Sequence, residues 1–220
     1  QGSSKSPELV DPTLPDGMNV MSGILIVGFL LAAGLSCAMT PVVRWLAPSL
    51  GLIDLPGHRK VHVQPTPRGG GIAIFFGWAI PIVAFVSFLT MAPDTMPDSL
   101  LELRWTAGES SQRALQFTAI GIGAVVLFLT GLADDRWNLS WNFRLGLQLS
   151  VAVGVVLCGV RATVFVAQPW VGFGATVLWI LVLTNAMNFL DNMDALSAGI
   201  GLIASVMFAS ILVLFVQDPA

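Results

Sequence analysis

The chain has 220 residues, of which 55% are hydrophobic and only 10% are charged, and its formal net charge is −3. Soluble domains carry about a quarter charged residues, so this composition excludes an ordinary soluble protein, and we expect no nucleic-acid partner. A mean hydropathy of +0.81 instead predicts a chain that crosses a lipid bilayer several times.

Runs without charged residues predict about six membrane-spanning helices, since about 20 apolar residues cross the hydrocarbon core. The runs cover residues 17–43, 69–93, 114–133, 145–160, 162–190 and 195–217. The fourth is short, and we expect Arg161 to anchor its end at the interface. Residues 1–16 are polar and contain prolines, which predicts a disordered outer tail ahead of a transmembrane domain over residues 17–220. The predicted fold class is an all-α, polytopic transmembrane helical bundle.

Basic residues are distributed unevenly between the two sides of this predicted bundle. With the amino terminus outside, the inner loops hold Arg44, Arg59, Lys60, Arg68, Arg136 and Arg144. The outer segments hold fewer basic residues and most of the acids. The positive-inside rule favours this orientation. It places three polar clusters on the cytoplasmic face, after the first, third and fifth spans.

The first cluster is a basic loop over residues 54–71, and its cations are Arg59, Lys60 and Arg68. Guanidinium and ammonium groups suit phosphate or the anionic inner leaflet of a membrane. His58 and His62 have a spacing that suits a metal only on a helix, and the nearby prolines argue against a helix. Zinc is therefore not expected, and the loop alone is equally consistent with a juxtamembrane basic patch.

The second cluster is the carboxylate pair Asp134–Asp135 at the end of the third predicted span. Adjacent helical residues point about 100° apart, so we expect one carboxylate to face a site while the other caps or orients. Acids at the carboxyl end of a helix oppose its dipole. A pair of acids therefore suggests a compensating cation, with a solvated helix end as the plain alternative.

The third cluster places Asn185, Asn188, Asp191 and Asp194 at steps of three residues. In an unbroken helix, at about 1.5 Å per residue, the first and last would stand about 13 Å apart. One ion cannot bind all four, so either the helix unwinds near Asp191 or the residues divide the work. Mg²⁺ takes one or two carboxylates with water and phosphate oxygens. For either asparagine alone, an interhelical hydrogen bond is an equal alternative.

The three clusters together suit an anionic substrate held with a divalent metal. Mg²⁺ neutralises phosphate oxygens and stabilises charge during phosphoryl transfer. The basic loop residues would hold outer phosphates, and the carboxylates would hold the metal or accept a proton. An active face at the membrane suits a lipid as one of the substrates.

Three motifs resemble the polyprenyl-phosphate N-acetylhexosamine-1-phosphate transferase family. They read D-x-P-x-x-R-K-x-H-x-x-P-x-P-R-x-G over residues 54–70, G-L-x-D-D over 131–135 and N-x-x-N-x-x-D-x-x-D over 185–194. Their order and spacing are similar to those of the family over roughly residues 41–201. The R-K-x-H loop is more similar to the branch that uses UDP-N-acetylglucosamine than to the branch that uses UDP-MurNAc-pentapeptide.

The resemblance implies a phosphotransferase that moves a sugar-1-phosphate, GlcNAc-1-phosphate, from a UDP-sugar to undecaprenyl phosphate and releases UMP. It implies cell-envelope glycan synthesis at the cytoplasmic face of the bacterial inner membrane, Mg²⁺ or alternatively Mn²⁺ as the metal, and a homodimer. Carried over by motif, the catalytic residues are Asp134, Asp135 and Asp191, and the metal ligands are Asp191 and Asp135. The substrate-binding residues are Arg59, Lys60, His62, Arg68, Asn185, Asn188 and Asp194.

The chain departs from this family in two respects. The third motif of the family usually reads Asp-Gly-x-Asp-Gly, whereas Asn192 and Ala195 replace the glycines here. Asn tolerates a left-handed backbone and Ala does not, so a positive φ at Ala195 would strain the segment. The family has about ten spans and a later cytoplasmic loop, so we expect an amino-terminal portion of a larger protein.

Two other functions are consistent with parts of the sequence. A cation- or proton-coupled transporter would line a path with acids, but its charges should lie near the midplane and its halves should repeat. Here the acids gather at one face, and no internal repeat is evident. A truncated, non-catalytic homologue that acts as a scaffold is the second alternative.

Overall fold

The computed structural model describes residues 16–54, 65–91, 107–162, 168–191 and 195–217. Within these ranges the chain forms six helices and one short antiparallel strand pair. The elements in chain order are α1 (Asp16–Leu46), β1 (Ile53–Asp54), β2 (Thr66–Pro67), α2 (Gly70–Met91), α3 (Ala107–Trp137), α4 (Trp141–Leu157), α5 (Pro169–Leu190) and α6 (Leu196–Gln217). Each of the six predicted spans corresponds to one helix, so the all-α class is confirmed. The predicted tail lies outside the described residues except for Asp16, which begins α1.

Four of the six described helices have the length and composition of membrane spans, and the other two, α4 and α6, hold the shorter apolar segments Trp141–Leu157 and Leu196–Ile211. Among the described residues, four apolar segments are long enough to cross a bilayer: Ser22–Leu46, Gly70–Leu89, Ser111–Trp137 and Pro169–Leu190. Helix α4 has 17 residues, and at about 1.5 Å per residue it is about 26 Å long. That is slightly less than the hydrocarbon thickness of about 30 Å, as its short charge-free run predicts.

Consecutive helices contact one another along the chain, and α6 also contacts α1. The most extensive contact joins α1 to α2, where Gly77 allows two backbones to approach. A Cβ added to Gly77 would lie 2.8 Å from Cβ of Ser36 and 3.1 Å from the carbonyl oxygen of Ala32. Small residues permit such close packing between membrane helices.

Few side chains are buried, and the largest apolar ones point outward. The main buried cluster joins α4 to α5 through Ala152, Val156 and Val177. By contrast, Leu30 on α1 is 61% exposed and Trp179 on α5 is 62% exposed. Lipid tails are as apolar as leucine, so outward-facing apolar side chains are stable in a bilayer. Packing and interhelical hydrogen bonds therefore hold this bundle together.

One end of the bundle is fixed by side chains that cap α4. The amide nitrogen of Gln112 donates to the carbonyl oxygen of Cys158 at 3.1 Å, and that of Gln116 donates to the carbonyl oxygen of Gly159 at 3.0 Å. Gly159 has φ of +97°, a conformation that glycine adopts at little cost when it ends a helix. These contacts join the start of α3 to the end of α4, so the two helices run antiparallel.

Candidate active site at the acidic end of the bundle

Helices α1, α3 and α5 end, and α2, α4 and α6 begin, at the other end of the bundle, which we call the acidic end. A guanidinium nitrogen of Arg136, in the last turn of α3, donates to the carbonyl oxygen of Leu50 beyond α1 at 2.7 Å. The loop that follows α1 and the end of α3 are therefore joined directly. The described carboxylates of the three sequence clusters all lie at this end.

The two members of the Asp134–Asp135 pair have different surroundings. Oδ1 of Asp134 accepts a hydrogen bond from the backbone N–H of Leu139 at 2.9 Å, and Oδ2 accepts one from Arg144 at 2.6 Å. Asp134 therefore closes the turn between α3 and α4, with Asn138 between them at φ of +48°. This is the capping arrangement expected for one member of the pair, while a catalytic role for Asp134 stays a prediction.

Asp135 is half-buried and faces the other polar segments. Its carboxylate is attracted by the guanidinium of Arg68 and repelled by the carboxylates of Asp134, Asp191 and Asp54. The interaction partners come from the strand pair after α1, from α3 itself and from the end of α5. Charges from all three sequence clusters therefore act on Asp135.

Arg68 is held beside these acids by the short strand pair. Asp54 pairs with Thr66 in the antiparallel register, and the backbone N–H of Arg68 donates to the carbonyl oxygen of Leu52 at 2.8 Å. The guanidinium of Arg68 then forms an ion pair with Asp54, with nitrogen and oxygen 2.9 Å apart. Sequence reasoning included Asp54 in the first motif but did not assign it to the site. Its place at the start of that motif was the available signal.

The third cluster is broken at Asp191. Helix α5 ends at Leu190, and the backbone N–H of Asp191 donates to the carbonyl oxygen of Met187 at 3.1 Å. Helix α6 begins at Leu196. An unwound helix near Asp191 is one of the two arrangements consistent with the spacing of the motif, and the structure has this break.

Ala195 lies in the left-handed region, with φ of +62°. Its carbonyl oxygen accepts a hydrogen bond from the N–H of Gly199 at 2.8 Å, so α6 starts directly from this strained residue. A left-handed conformation costs an L-residue about 1–2 kcal/mol. The sequence predicts strain at Ala195 if its φ is positive, and its φ is positive.

A residue that sequence reasoning missed fixes the side chain of Asp191. The hydroxyl of Ser197, in the first turn of α6, donates to Oδ1 of Asp191 at 3.0 Å. This hydrogen bond joins the first turn of α6 to the residue that follows α5. The only available signal was a serine just beyond the third motif, which is too common a feature to assign.

Asn185 makes an interhelical hydrogen bond. Its amide nitrogen donates to the side-chain oxygen of Gln148 on α4 at 2.8 Å and to the carbonyl oxygen of Leu181 at 2.9 Å. Both amide hydrogens are thereby engaged, which favours the interhelical alternative for this residue, and substrate binding by Asn185 stays a prediction. Asn188 is exposed and lies one turn before Asp191.

Four of the predicted substrate-binding residues lie outside the described residues. They are Arg59, Lys60, His62 and Asp194. Asn192, the other departure from the family motif, also lies outside them. The substrate-binding roles of Arg59, Lys60, His62 and Asp194 remain predictions.

The described acids fit a magnesium site of few protein ligands. Within the described ranges, no three His, Cys, Asp or Glu side chains gather as a metal cage. Structural zinc sites require four such ligands, whereas Mg²⁺ uses one or two carboxylates and completes its shell with water and phosphate oxygens. Asp135 and Asp191, whose like charges act on each other at this end, are the two described carboxylates that would hold such an ion.

An apolar cavity of about 360 Å³ lies beside this site, at the end of α3. Leu52, Leu129 and Leu132 line it, and Arg136 with Trp137 borders it. The guanidinium of Arg136 lies 5.5 Å from the centre of the Trp137 ring. The acidic end thus combines carboxylates and guanidinium groups with an apolar recess.

Comparison with known proteins shows the family. A family model described as Glycosyl transferase family 4 matches residues 117–219. The probable undecaprenyl-phosphate N-acetylglucosaminyl 1-phosphate transferase of Bacillus subtilis is 31% identical over 187 residues, which are 81% of this chain and 46% of that protein. The decaprenyl-phosphate N-acetylglucosaminephosphotransferase of Mycobacterium tuberculosis is 35% identical over 194 residues, 83% of this chain and 44% of that protein.

A third relative, the undecaprenyl-phosphate alpha-N-acetylglucosaminyl 1-phosphate transferase of Yersinia pestis, is 26% identical over 193 residues. The chain spans less than half the length of these relatives. No solved structure matches it significantly. The chain carries the three motifs, forms an all-α bundle of apolar helices and is similar to these relatives. It therefore belongs to the family of polyprenyl-phosphate N-acetylhexosamine-1-phosphate transferases, glycosyl transferase family 4.

Proposed function

We propose that this protein transfers GlcNAc-1-phosphate from UDP-GlcNAc to undecaprenyl phosphate and releases UMP, with Mg²⁺ as cofactor. The reaction would take place at the cytoplasmic face of the bacterial plasma membrane, in cell-envelope glycan synthesis. The names of the relatives support this reaction type. The observation that carries the proposal is the gathering of the three motifs at one end of the bundle, where the ion pair of Arg68 with Asp54 lies within electrostatic range of Asp135 and Asp191.

The proposed substrates explain why acids and a guanidinium occur together. Both the UDP-sugar and the lipid phosphate are anionic, and carboxylates alone would repel them. When bound, Mg²⁺ neutralises the negative charge of the phosphate oxygens. Asp135 and Asp191 would hold it, and Arg68 would hold a phosphate oxygen of the donor through charge-assisted hydrogen bonds. Arg59, Lys60 and His62 of the same loop would extend that contact.

The reaction is a displacement at the β-phosphorus of the donor. An oxygen of the lipid phosphate forms a new bond to this phosphorus, and the bond from it to the oxygen that bridges to the α-phosphate breaks. The bonding electrons leave with that oxygen as UMP. Asp134 would serve this step by fixing the turn between α3 and α4, while Asp135 faces the reacting groups.

A lipid acceptor suits the surroundings of this site. The apolar cavity at the end of α3 adjoins Arg136, so the isoprene units nearest the phosphate would lie in it, the rest of the chain would lie in the bilayer, and the phosphate would stay at the acidic end. A homodimer and the use of Mn²⁺ in place of Mg²⁺ remain predictions of the sequence resemblance.

The direct test is release of UMP by the full-length protein in detergent, with UDP-GlcNAc and undecaprenyl phosphate supplied. We expect release that requires Mg²⁺ and the lipid, and that stops on addition of a chelator. Asp191→Asn should abolish turnover while the thermal unfolding midpoint stays near that of wild type. The same release without lipid phosphate, or wild-type rates in Asp191→Asn, would contradict the proposal.

A further inference from the structure

The hydroxyl of Ser197 donates a hydrogen bond to one oxygen of the Asp191 carboxylate. The hydrogen bond to Oδ1 is 3.0 Å long, and within the described part of the chain Oδ2 of Asp191 accepts no hydrogen bond from a side chain. The carboxylate also interacts electrostatically with Asp135. One hydroxyl therefore restricts the rotation of the carboxylate that the proposed function assigns to the metal.

The backbone at the start of α6 is arranged so that this contact can form. Asp191 is the residue directly after α5, three residues separate it from Ala195, and Ala195, with φ of +62°, directly precedes α6. Ser197 then lies in the first helical turn, where its hydroxyl reaches back to Asp191. A strained left-handed alanine persists only where surrounding contacts hold it, and the hydrogen bond of Ser197 is one such contact.

We propose that Ser197 is a positioning residue for Asp191, which holds Oδ1 so that Oδ2 is presented to a divalent cation. The inference rests on the proposed function only in assigning that cation to Asp191. Hydrogen bonds to a ligating carboxylate orient it, and loss of such a partner typically lowers metal affinity about 10- to 100-fold. Because this contact is exposed to water, we expect an effect at the lower end, about tenfold.

The chain offers a matched control on the same helix. Ser210 donates its hydroxyl to the backbone carbonyl oxygen of Val206 at 2.8 Å, about 20 Å from the start of α6 at about 1.5 Å per residue. Ser210→Ala and Ser197→Ala remove the same atom from the same helix. Ser197→Thr restores a hydroxyl at the position in question.

The experiment measures Mn²⁺ affinity by electron paramagnetic resonance of the free ion, without substrate, in full-length protein. Asp191→Asn defines the fraction of binding that belongs to this site. We expect Ser197→Ala to weaken that fraction about tenfold, Ser197→Thr to bring it back to within about twofold of wild type, and Ser210→Ala to leave it unchanged. A Ser197→Ala protein with wild-type affinity would overturn the proposal, and so would a Ser197→Thr protein as weak as Ser197→Ala.

UMP release on the same samples separates this inference from the proposed function. Positioning predicts that Ser197→Ala needs about ten times more Mg²⁺ for half-maximal rate, with a kcat at saturating Mg²⁺ close to wild type. A merely structural role would leave the Mg²⁺ requirement unchanged even if the unfolding midpoint fell, and that result overturns positioning. If wild type releases no UMP but Ser197→Ala still weakens Mn²⁺ binding, the proposed reaction fails and the positioning role stands.

Discussion

The guanidinium of Arg144 donates a 2.6 Å hydrogen bond to Oδ2 of Asp134 and joins the start of α4 to the last turn of α3. The other oxygen of Asp134, Oδ1, accepts a hydrogen bond from the backbone N–H of Leu139. Both oxygens therefore accept hydrogen bonds within the turn between α3 and α4. Its neighbour Asp135 instead interacts with charges from two other segments. Two adjacent aspartates of one motif therefore have separable roles.

That separation predicts opposite outcomes for two alanine variants. Asp134→Ala removes the acceptor of two hydrogen bonds and should lower the free energy of unfolding by about 1–3 kcal/mol, at the low end because both side chains of the ion pair are partly exposed. Asp135→Ala should leave the unfolding midpoint near wild type and abolish UMP release. Thermal unfolding in detergent, alongside the activity assay, checks both. Equal loss of stability in the two variants would remove the distinction.

Ala195→Gly should stabilise the protein. Glycine adopts a positive φ at no steric cost, so the substitution relieves about 1 kcal/mol of strain at φ of +62°. Ala198→Gly, three residues further on in α6, is the matched control, and it should lower stability by about 0.5–1 kcal/mol because glycine is unfavourable inside a helix. The two unfolding midpoints should move in opposite directions. A lower midpoint in both variants would show that Ala195 is not strained in solution.

Arg68→Ala should weaken binding of the sugar-nucleotide donor. The substitution removes the cation paired with Asp54 and leaves the neighbouring carboxylates to repel the diphosphate, so we expect the KM for UDP-GlcNAc to rise by at least about tenfold. Arg161→Ala, an exposed arginine at the opposite end of the bundle, is the control and should leave KM unchanged. An unchanged KM in Arg68→Ala would place the donor phosphates elsewhere.

Gly77→Ala should loosen the contact between α1 and α2. The new Cβ would lie 2.8 Å from Cβ of Ser36 and 3.1 Å from a backbone oxygen, and overpacking of this kind costs about 1–3 kcal/mol. A Cβ at Gly28 on α1 would meet nothing within 4 Å, so Gly28→Ala should be neutral or slightly stabilising. Thermal unfolding of the two variants compares them, and an equal midpoint would mean that the helices are further apart than described.

Much of the architecture was predictable because a bilayer imposes it. Charge-free runs set the positions of the helices, and alternation of the spans brings every second loop to one end. The break at Asp191 was one of two arrangements that the sequence predicted, since an unbroken helix would have separated the polar residues of the third motif. Strain at Ala195 was predictable for the case of a positive φ, because alanine lies where the family motif has glycine.

Contacts between helices were not predictable in the same way. Which of Asp134 and Asp135 faces the site depends on the rotation of α3 about its axis, which packing against other helices sets. The bond from Asn185 to Gln148 depends on the register of α5 against α4. The bond from Ser197 to Asp191 depends on the geometry of one short turn. A single sequence records none of these rotations or registers.

In the proposed reaction the β-phosphate of the donor, with its sugar, passes to the lipid. Incubation of the full-length protein with Mg²⁺, undecaprenyl phosphate and UDP-GlcNAc labelled with ³²P in its β-phosphate measures this directly. The account predicts label in the lipid fraction, in equal amount to the UMP released, and no transfer by Asp135→Ala. Label that is released as UDP, because the sugar left without its phosphate, or as inorganic phosphate, with none in the lipid, would contradict it.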